Sequence, residues 1–500
     1  MRINYFCLMI VVGFFQTLKA DNDTLSTAKD YIQQGKYKKA EKLLAVFEKN
    51  HPNDLNVVWL YGQTAYWNGH TKTFKRVYDK AIIRFPSNYY LKLDYAIKLV
   101  ACGDLKKAFP LMEEYYKFDK TSADLKLLFA KSEYWNEDYQ AALKELEDEQ
   151  VMKQKPQEAQ QLKDEILSAK SFWVKAGTDY LRDDQPLQQI IPSLEAGKYY
   201  NTLVSPSISM QMPFFQTGAG VFNSLKLNVA NKLNVSKIQL RTTIHAGIVV
   251  FPNKMTRLVG GIELTKTNFT YLKITAIAAR QPYLSTISSI DEMLVPYHYE
   301  LNFAWDDQST WNGKLVSSCD QFTAYKNYVY NVGAWVLTPP AKISMLQFRI
   351  GYAYGYASSD ENKYAAKETL AKIIAAYSPG KTIEGAYQPF FTPTNQQTHS
   401  ALLNISYKPS KKIAAGANAS IAFAGSMDNP YLFLDKRNST ALYVNKGYLP
   451  VNFYPYKIET FVVYKLTKKS SFKANYTFFK NNFYTSHVIG ASVILNFWND

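Results

Sequence analysis

The chain has 500 residues and a formal net charge of +16, with 58 Lys and Arg against 42 Asp and Glu. A length of this order calls for two or more domains, and 38 Tyr, 29 Phe and 8 Trp at a mean hydropathy of −0.26 are more half-polar aromatics than a soluble globule needs. The charge is uneven: residues 21–189 hold 26 basic and 26 acidic side chains, residues 190–500 hold 30 against 16.

The first residues, MRINYFCLMIVVGFFQTLKA, place Arg2 before an apolar run from Phe6 to Phe15 and end on Ala20. This is the pattern of a secretory signal peptide over 1–20, with an apolar run too short for a bilayer-spanning helix. Outside the cytoplasm, the basic excess of the C-terminal part points to an anionic polymer or lipid headgroup and away from nucleic acid. Beyond the leader only Cys102 and Cys319 remain. They fall in different predicted domains, so no disulfide framework is expected.

Residues 21–155 carry a 34-residue period. Ala28, Gly62, Ala96 and Ala130 form one column, and Ala40, Phe74, Ala108 and Ala142 a second. Gly35, Gly69 and Gly103 form a third, broken by Glu137; Pro52 and Pro86 close the first two repeats, and Lys120 stands where a third proline would. Small residues where two helices cross, glycine in the turn and proline after the second helix make the tetratricopeptide signature. Residues 156–197 are expected to hold a capping helix, about 157–176, and a linker. Stacked helix pairs offer a concave groove to a peptide, polymer or partner protein, and Tyr61, Tyr66, Trp67, Tyr134 and Trp135 are candidates to line it, with packing between helices as the alternative.

From residue 198 to 500 the period changes to two. In LQFRIGYAYGYA, Leu346, Phe348, Ile350, Tyr352, Tyr354 and Tyr356 share one face, opposite Gln347, Arg349 and small residues. IQLRTTIHAGIVV and PYHYELNFAWDD repeat the pattern over lengths suited to membrane strands and longer than the usual five or six residues of a sandwich strand. Short connections such as 409–411 and 467–470 alternate with long ones at 281–295, 358–397 and 426–455. The pattern predicts a tetratricopeptide array followed by an antiparallel transmembrane β-barrel of about 14 strands, or 16 if 426–455 hides a hairpin. Alternation turns Lys226, Lys237, Gln239, Arg241, His245, Glu263, Lys273, His298, Glu300, Gln347 and Arg349 toward the lumen. The lining is mixed and net basic. In the long loop, 360–380 reads as an amphipathic helix with Tyr364, Leu370, Ile373, Ile374 and Tyr377 as its stripe, placed as a lid or on the rim.

A signal peptide, tetratricopeptide repeats and a C-terminal barrel together resemble outer-membrane exporters of the cellulose and poly-N-acetylglucosamine type, and the smaller YaiO-like barrel family. Within the barrel, GAYQPFFTP (385–393) is similar to the aromatic-Ser/Thr-Pro element of the cellulose type. The resemblance implies an outer-membrane barrel with periplasmic repeats that takes part in export or assembly of a surface polysaccharide. Its partners would be outer-membrane lipid, a periplasmic protein held by the repeats, and an anionic or amino-sugar polysaccharide. A general pore and a scaffold barrel are the alternatives. No cofactor and no metal are expected. The histidines are scattered, no Gly-x-Ser-x-Gly or His-Glu-x-x-His occurs, and Asp306 and Asp307 point to opposite faces, so no enzyme is expected. The final strand should close the barrel, with Ile489 to Phe497 toward lipid and Trp498 at the interface.

Overall fold

The computed structural model describes residues 22–102, 104–184, 187–217, 220–235, 238–267, 272–305, 311–436, 442–481 and 484–498. The predicted leader, Gly103, Lys237, Asp306 and Asp307 lie outside the described residues. The chain divides into two compact units, Met1–Leu128 and Phe129–Asp500.

The first unit is built from antiparallel helix pairs: α1 (Asn22–Gln33) with α2 (Tyr37–Asn50), α3 (Leu55–Trp67) with α4 (Thr71–Arg84), and α5 (Tyr89–Ala101) with α6 (Leu105–Phe118). Ala28, Ala40, Phe74, Ala96 and Ala108 are fully buried. The 34-residue columns are therefore the crossing points of the pairs. At Gly62 an added Cβ would lie 2.6 Å from the Tyr78 ring, so the crossing of α3 on α4 admits no side chain. Asp54 accepts from the Asn56 and Val57 amides, and Asn88 accepts from the Leu91 amide, fixing the starts of α3 and α5. The turn glycines Gly35 and Gly69 take φ of +69° and +79°.

The second unit opens with the end of α7 (Ala123–Trp135), then α8 (Tyr139–Leu146), α9 (Glu149–Gln154) and α10 (Pro156–Lys170). Glu137, which breaks the glycine column, keeps the left-handed geometry of that column at φ 61°. A non-glycine residue there costs about 1 kcal/mol, and its contacts, described below, offset that strain.

The barrel follows directly. Its members are β1 (Phe172–Asp183), β2 (Gln188–Gly197), β3 (Ser205–Gln211), β4 (Leu225–Val235), β5 (Leu240–Val250), β6 (Thr256–Lys266), β7 (Leu272–Arg280) and β8 (Tyr297–Trp305). They continue as β9 (Asn312–Phe322), β10 (Asn327–Leu337), β11 (Leu346–Ser359), β12 (Gln396–Tyr407), β13 (Ile413–Lys436), β14 (Tyr456–Lys465), β15 (Ser470–Lys480) and β16 (Thr485–Phe497). Each pairs antiparallel with the next, and β16 returns to β1 from Phe172↔Phe497 to Asp183↔Ser486. The ring of sixteen leaves no edge in lipid.

Two expectations are corrected here. The stretch 171–197 is not a linker: it forms β1 and β2, so the barrel begins at Phe172 rather than 198 and its strands number sixteen rather than fourteen. The alternation was masked because Trp173 and Leu181 fall among the inward positions of β1, and Ile190, Ile191 and Pro192 run together in β2. The loop 426–455 does hold a hairpin, but it adds no member. The lower half of β13 pairs with β14 (Ile413↔Tyr464 to Ile421↔Tyr456), and its upper half runs on to pair with Leu442–Asn452.

The outward face is apolar and exposed, as at Ile244, Leu258, Ile350, Phe423 and Ile489, the band that hydrocarbon would cover. At the seam, Phe172 and Phe497 meet with ring centroids 5.8 Å apart. Lys469 donates to the Trp498 carbonyl at 2.7 Å and lies over its ring.

Candidate functional site

The inward face, set by register, carries most of the barrel's polar and charged side chains, with apolar ones such as Val249 and Val259 among them. On β7 and β6, Thr275 and Thr265 share a hydroxyl hydrogen bond of 3.1 Å. Asn404 on β12 donates to Asn418 on β13 at 2.6 Å. His298 on β8 meets Asp320 on β9 at 2.7 Å through Nδ1, and its Nε2 lies 3.5 Å from Glu300. Asn302 donates to Glu300 in turn. Both ring nitrogens of His298 thus face carboxylates, and no nucleophile bonds to it among the described residues. Lys457 and Glu459 on β14 pair at 2.5 Å yet stay 47% and 40% exposed. An inward pair this exposed requires a lumen that water enters. Lys175, Lys226, Lys232, Lys273, Lys314 and Lys473 are also inward, and among the described residues none has an ion-pair partner.

Of the predicted lining, Lys226, His245, Glu263, Lys273, His298, Glu300, Gln347 and Arg349 lie on inward positions. Two differ. Gln239 sits in the turn before β5 at φ 49°, where its carbonyl accepts from the Thr267 amide. Arg241 is inward but at the rim, tied to the helices. Lys237 lies outside the described residues. Inward Lys175, Asp179, Lys314, Asp320, Lys457, Glu459 and Lys473 were missed; the period-two rule applied to every strand would have found most of them.

The long-loop end is narrowed by two segments. In 281–296, Thr286 caps a short helix, α11 (Ile287–Asp291), through a reciprocal bond with Ser289. Ile290 is buried with Leu187, Phe215, Phe251, Val249 and Val259, the last two on inward positions of β5 and β6. The Gln189 amide donates to the Leu284 carbonyl at 3.2 Å. The second segment is the GAYQPFFTP stretch. Phe390 is fully buried against Phe322 on β9, with Leu294 and Val329 in the same cluster. Thr286 Oγ1 donates to the Pro389 carbonyl at 2.6 Å, joining the two segments. Thr392 is buried, and its hydroxyl accepts from the Lys363 amide at 2.7 Å. Loop ends thus turn inward along the wall from β5 to β10, whereas Lys457 and Glu459 remain open.

The predicted helix of 360–380 is shorter. Only Leu370–Ala376 is helical (α12), and Tyr364–Ala366 pairs as a strand with Gly385–Tyr387. Ile373 is buried with Ile383, Leu432 and Leu434, while Leu370 and Ile374 are exposed. The helix therefore packs on the tall β13 hairpin, and the narrowing comes from 281–296 and 385–393 instead.

At the short-turn end, helical residues of the second unit grip the barrel. Tyr199 donates to the Glu137 carbonyl at 3.0 Å, and its ring meets that of Tyr139 edge-on. Burial pushes the Tyr199 phenol up to about 12. Gln140 donates to the Tyr200 carbonyl at 3.0 Å, and Asn234 donates to the Asn136 carbonyl. Arg241 donates to the Trp135 carbonyl at 3.2 Å and pairs with Glu137 at 3.3 Å. Farther round, Lys468 in the turn before β15 pairs with Asp164 on α10 at 2.6 Å. The contacts run along the rim from the β14–β15 turn to the β4–β5 turn.

Each predicted groove residue makes contacts within its own unit. Tyr61 is buried, Tyr66 packs edge-on against Phe74, and Trp67 leans on Tyr37. Tyr134 packs on Tyr139, and Trp135 serves the rim through its carbonyl. Sequence reading missed a different feature of α3 to α5. Trp59 Nε1 (2.5 Å), Gln63, Tyr78 and Lys98 all donate to the Asp94 carboxylate. Burial, with Asp94 beside it, holds the Tyr78 phenol well above its ordinary range. Among the described residues no cluster could hold a metal ion, and Cys102 and Cys319 take part in no disulfide.

The fold and the lumen define a sixteen-stranded barrel of the outer-membrane type preceded by helical repeats. No known family profile matches the chain, and no curated protein does. Among solved structures it is similar to a "Bacterial polysaccharide outer membrane secretin" at 8% identity and a TM-score of 0.46, over 66% of this chain and 99% of that one. A loop-deletion mutant of an outer membrane protein of Vibrio cholerae gives 9% identity and a TM-score of 0.33, over 65% of this chain and 98% of that one. A thermophilic TPR protein of Thermus thermophilus gives 16% and 0.26, over 29% and 81%. Likenesses at these levels carry no weight for function, and the architecture rests on the ring of strand pairing and the helix pairs.

Proposed function

We propose that the chain is an outer-membrane conduit for a surface polysaccharide, with its repeats in the periplasm. The observation that carries this reading is the wet, net-basic inward face bearing lysines with no ion-pair partner among the described residues, in a barrel whose short-turn rim is gripped by helical segments. Such a face binds hydroxyls and acidic substituents weakly and at many points, as a sliding polymer needs. Short turns belong to the periplasmic side of such barrels, and the gripped rim is the short-turn rim. Periplasmic repeats would meet the polymer or its synthetic machinery before the lumen does. The protein needs no cofactor and catalyses no reaction in this reading; the two carboxylates around His298 serve the wall. Inward charges that merely brace the wall are the plain alternative, and these lysines weigh against it.

The repeats also suit a periplasmic protein partner. Tyr90 and Phe118 remain exposed on α5 and α6, Phe118 stacked on Tyr89, and exposed aromatics of this kind anchor protein interfaces. The test is deletion of the gene followed by assay of surface and periplasmic polysaccharide. Loss from the surface with periplasmic accumulation is expected. Unchanged polymer with loss of a co-purifying periplasmic complex would replace the conduit by a scaffold.

A further inference from the structure

A cavity of about 180 Å³ lies on the inward wall of β3 to β5, lined by Gln211, Pro213, Ser224, Lys226, Val249, Gln281, Pro282 and Leu284. Gln211, Lys226 and Val249 form one row across β3, β4 and β5. The segment 281–284 roofs it, held by the Gln189 bond to Leu284 and by the Tyr283 amide on the Leu294 carbonyl at 2.9 Å.

Two groups in this cavity lack what they need. Ser224 is 2% exposed, and among the described residues its Oγ has no hydrogen-bond partner. The Ser224 amide is already engaged, donating to the Pro213 carbonyl at 2.9 Å. Lys226 is half-buried, and among the described residues no acid pairs with it. A buried hydroxyl left unmade costs about 1–3 kcal/mol, and an ammonium drawn from water without a counter-charge costs more. Together they present an O–H donor and a cation to the same small space. Its other polar groups are the Gln211 and Gln281 amides, which donate or accept. A carboxylate, sulfate or phosphate oxygen satisfies both deficits at once, and a neutral hydroxyl satisfies only the first.

We propose that this cavity is a subsite for the acidic substituent of the transported polymer, an oxyanion carried on a sugar ring. The proposal rests on the reading of the lumen as a polymer path and adds the substrate class, an acidic polysaccharide. Lys226 supplies the charge, Ser224 the directed hydrogen bond, and the 281–284 roof sets the size of the group admitted.

The full chain in planar bilayers tests it, with galacturonate oligomers, neutral cello-oligosaccharides and inorganic phosphate as separate probes. Galacturonate oligomers are expected to interrupt the current. Lys226→Gln should weaken that block about ten-fold or more, as loss of a charge-assisted bond does; Lys226→Arg should keep most of it, and Ser224→Ala should weaken it less than Lys226→Gln. Equal block of the Lys226→Gln protein overturns the subsite, as does equal block by neutral oligomers. Block by inorganic phosphate at the same concentration as the oligomer assigns the cavity to a free ion and overturns the polymer assignment. A Lys226-dependent block in a protein whose deletion leaves surface polymer untouched keeps the subsite and discards the conduit. Lost surface polymer without any Lys226 dependence does the reverse.

Discussion

The ring of Phe390 lies flat on that of Phe322, with centroids 3.5 Å apart and planes 3° apart. Phe322 ends β9 on the inward face, and Phe390 belongs to the long loop between β11 and β12. The pair pins that loop to the inside of the mouth, beside 281–296. Tyr283 and Tyr325 meet the same rings edge-on.

Removing this anchor should open the mouth. Truncating a buried phenylalanine costs about 3–5 kcal/mol, which here falls on the loop rather than on the ring of strand pairing. Phe390→Ala is expected to raise the single-channel conductance and its fluctuation while heat-modifiable gel mobility stays that of a closed barrel. An unchanged conductance would show that the two segments do not narrow the path.

The helical unit depends on close crossing at Gly62. Gly62→Leu should lower the thermal stability of the helices by about 1–3 kcal/mol, the usual cost of overpacking. Far-UV melting would register the loss in the helical signal. The barrel transition should not move, because the strands pair without the first unit.

Arg241 and Asn234 hold the Trp135–Glu137 turn on the rim. The Arg241–Glu137 pair is partly exposed, 38% and 41%, so alone it contributes about 1 kcal/mol or less. The double variant Arg241→Ala, Asn234→Ala removes three bonds together. Limited proteolysis is expected to cut between residues 136 and 156 in that protein before it cuts the native one; equal protection would mean the Tyr199 and Gln140 contacts suffice.

The Asp164–Lys468 pair adds a pH dependence. The hydrogen bond from Lys468 holds the Asp164 carboxyl below its usual range. A depressed carboxylate contributes stability above its unfolded value and loses it as pH falls through the folded value. Docking of α10 on the β14–β15 turn should therefore weaken only on acidification, below the ordinary carboxylate range. Protection of the α10 amides, taken relative to their intrinsic exchange at each pH, should fall there in the native chain, and in Asp164→Asn it should be equally low at neutral and acid pH.

Much of the architecture was legible because it is periodic. The column of Ala28, Gly62, Ala96 and Ala130 marks helix crossings that tolerate only small side chains, as Gly62 demonstrates, and the two-residue alternation of β8 or β11 follows from one wall facing water and the other lipid. What escaped was aperiodic. Strands β1 and β2 mix apolar residues onto the inward face, since Trp173 and Ile191 sit there. The inward folding of 281–296 and 385–393 depends on contacts such as Phe322 with Phe390, 68 positions apart, and no local pattern encodes it. The cavity at Lys226 depends on three strands and a roof coming together. Sequence supplied the lysine as inward-facing, but not the buried serine beside it.

Photo-crosslinking from the wall tests the conduit most directly. In cells producing the polymer, a photoreactive amino acid replaces Lys273, inward on β7, or Ile274, its outward neighbour. The account predicts polysaccharide joined to the protein from position 273 and none from position 274. Polymer reaching the surface while position 273 captures nothing would contradict passage through this barrel.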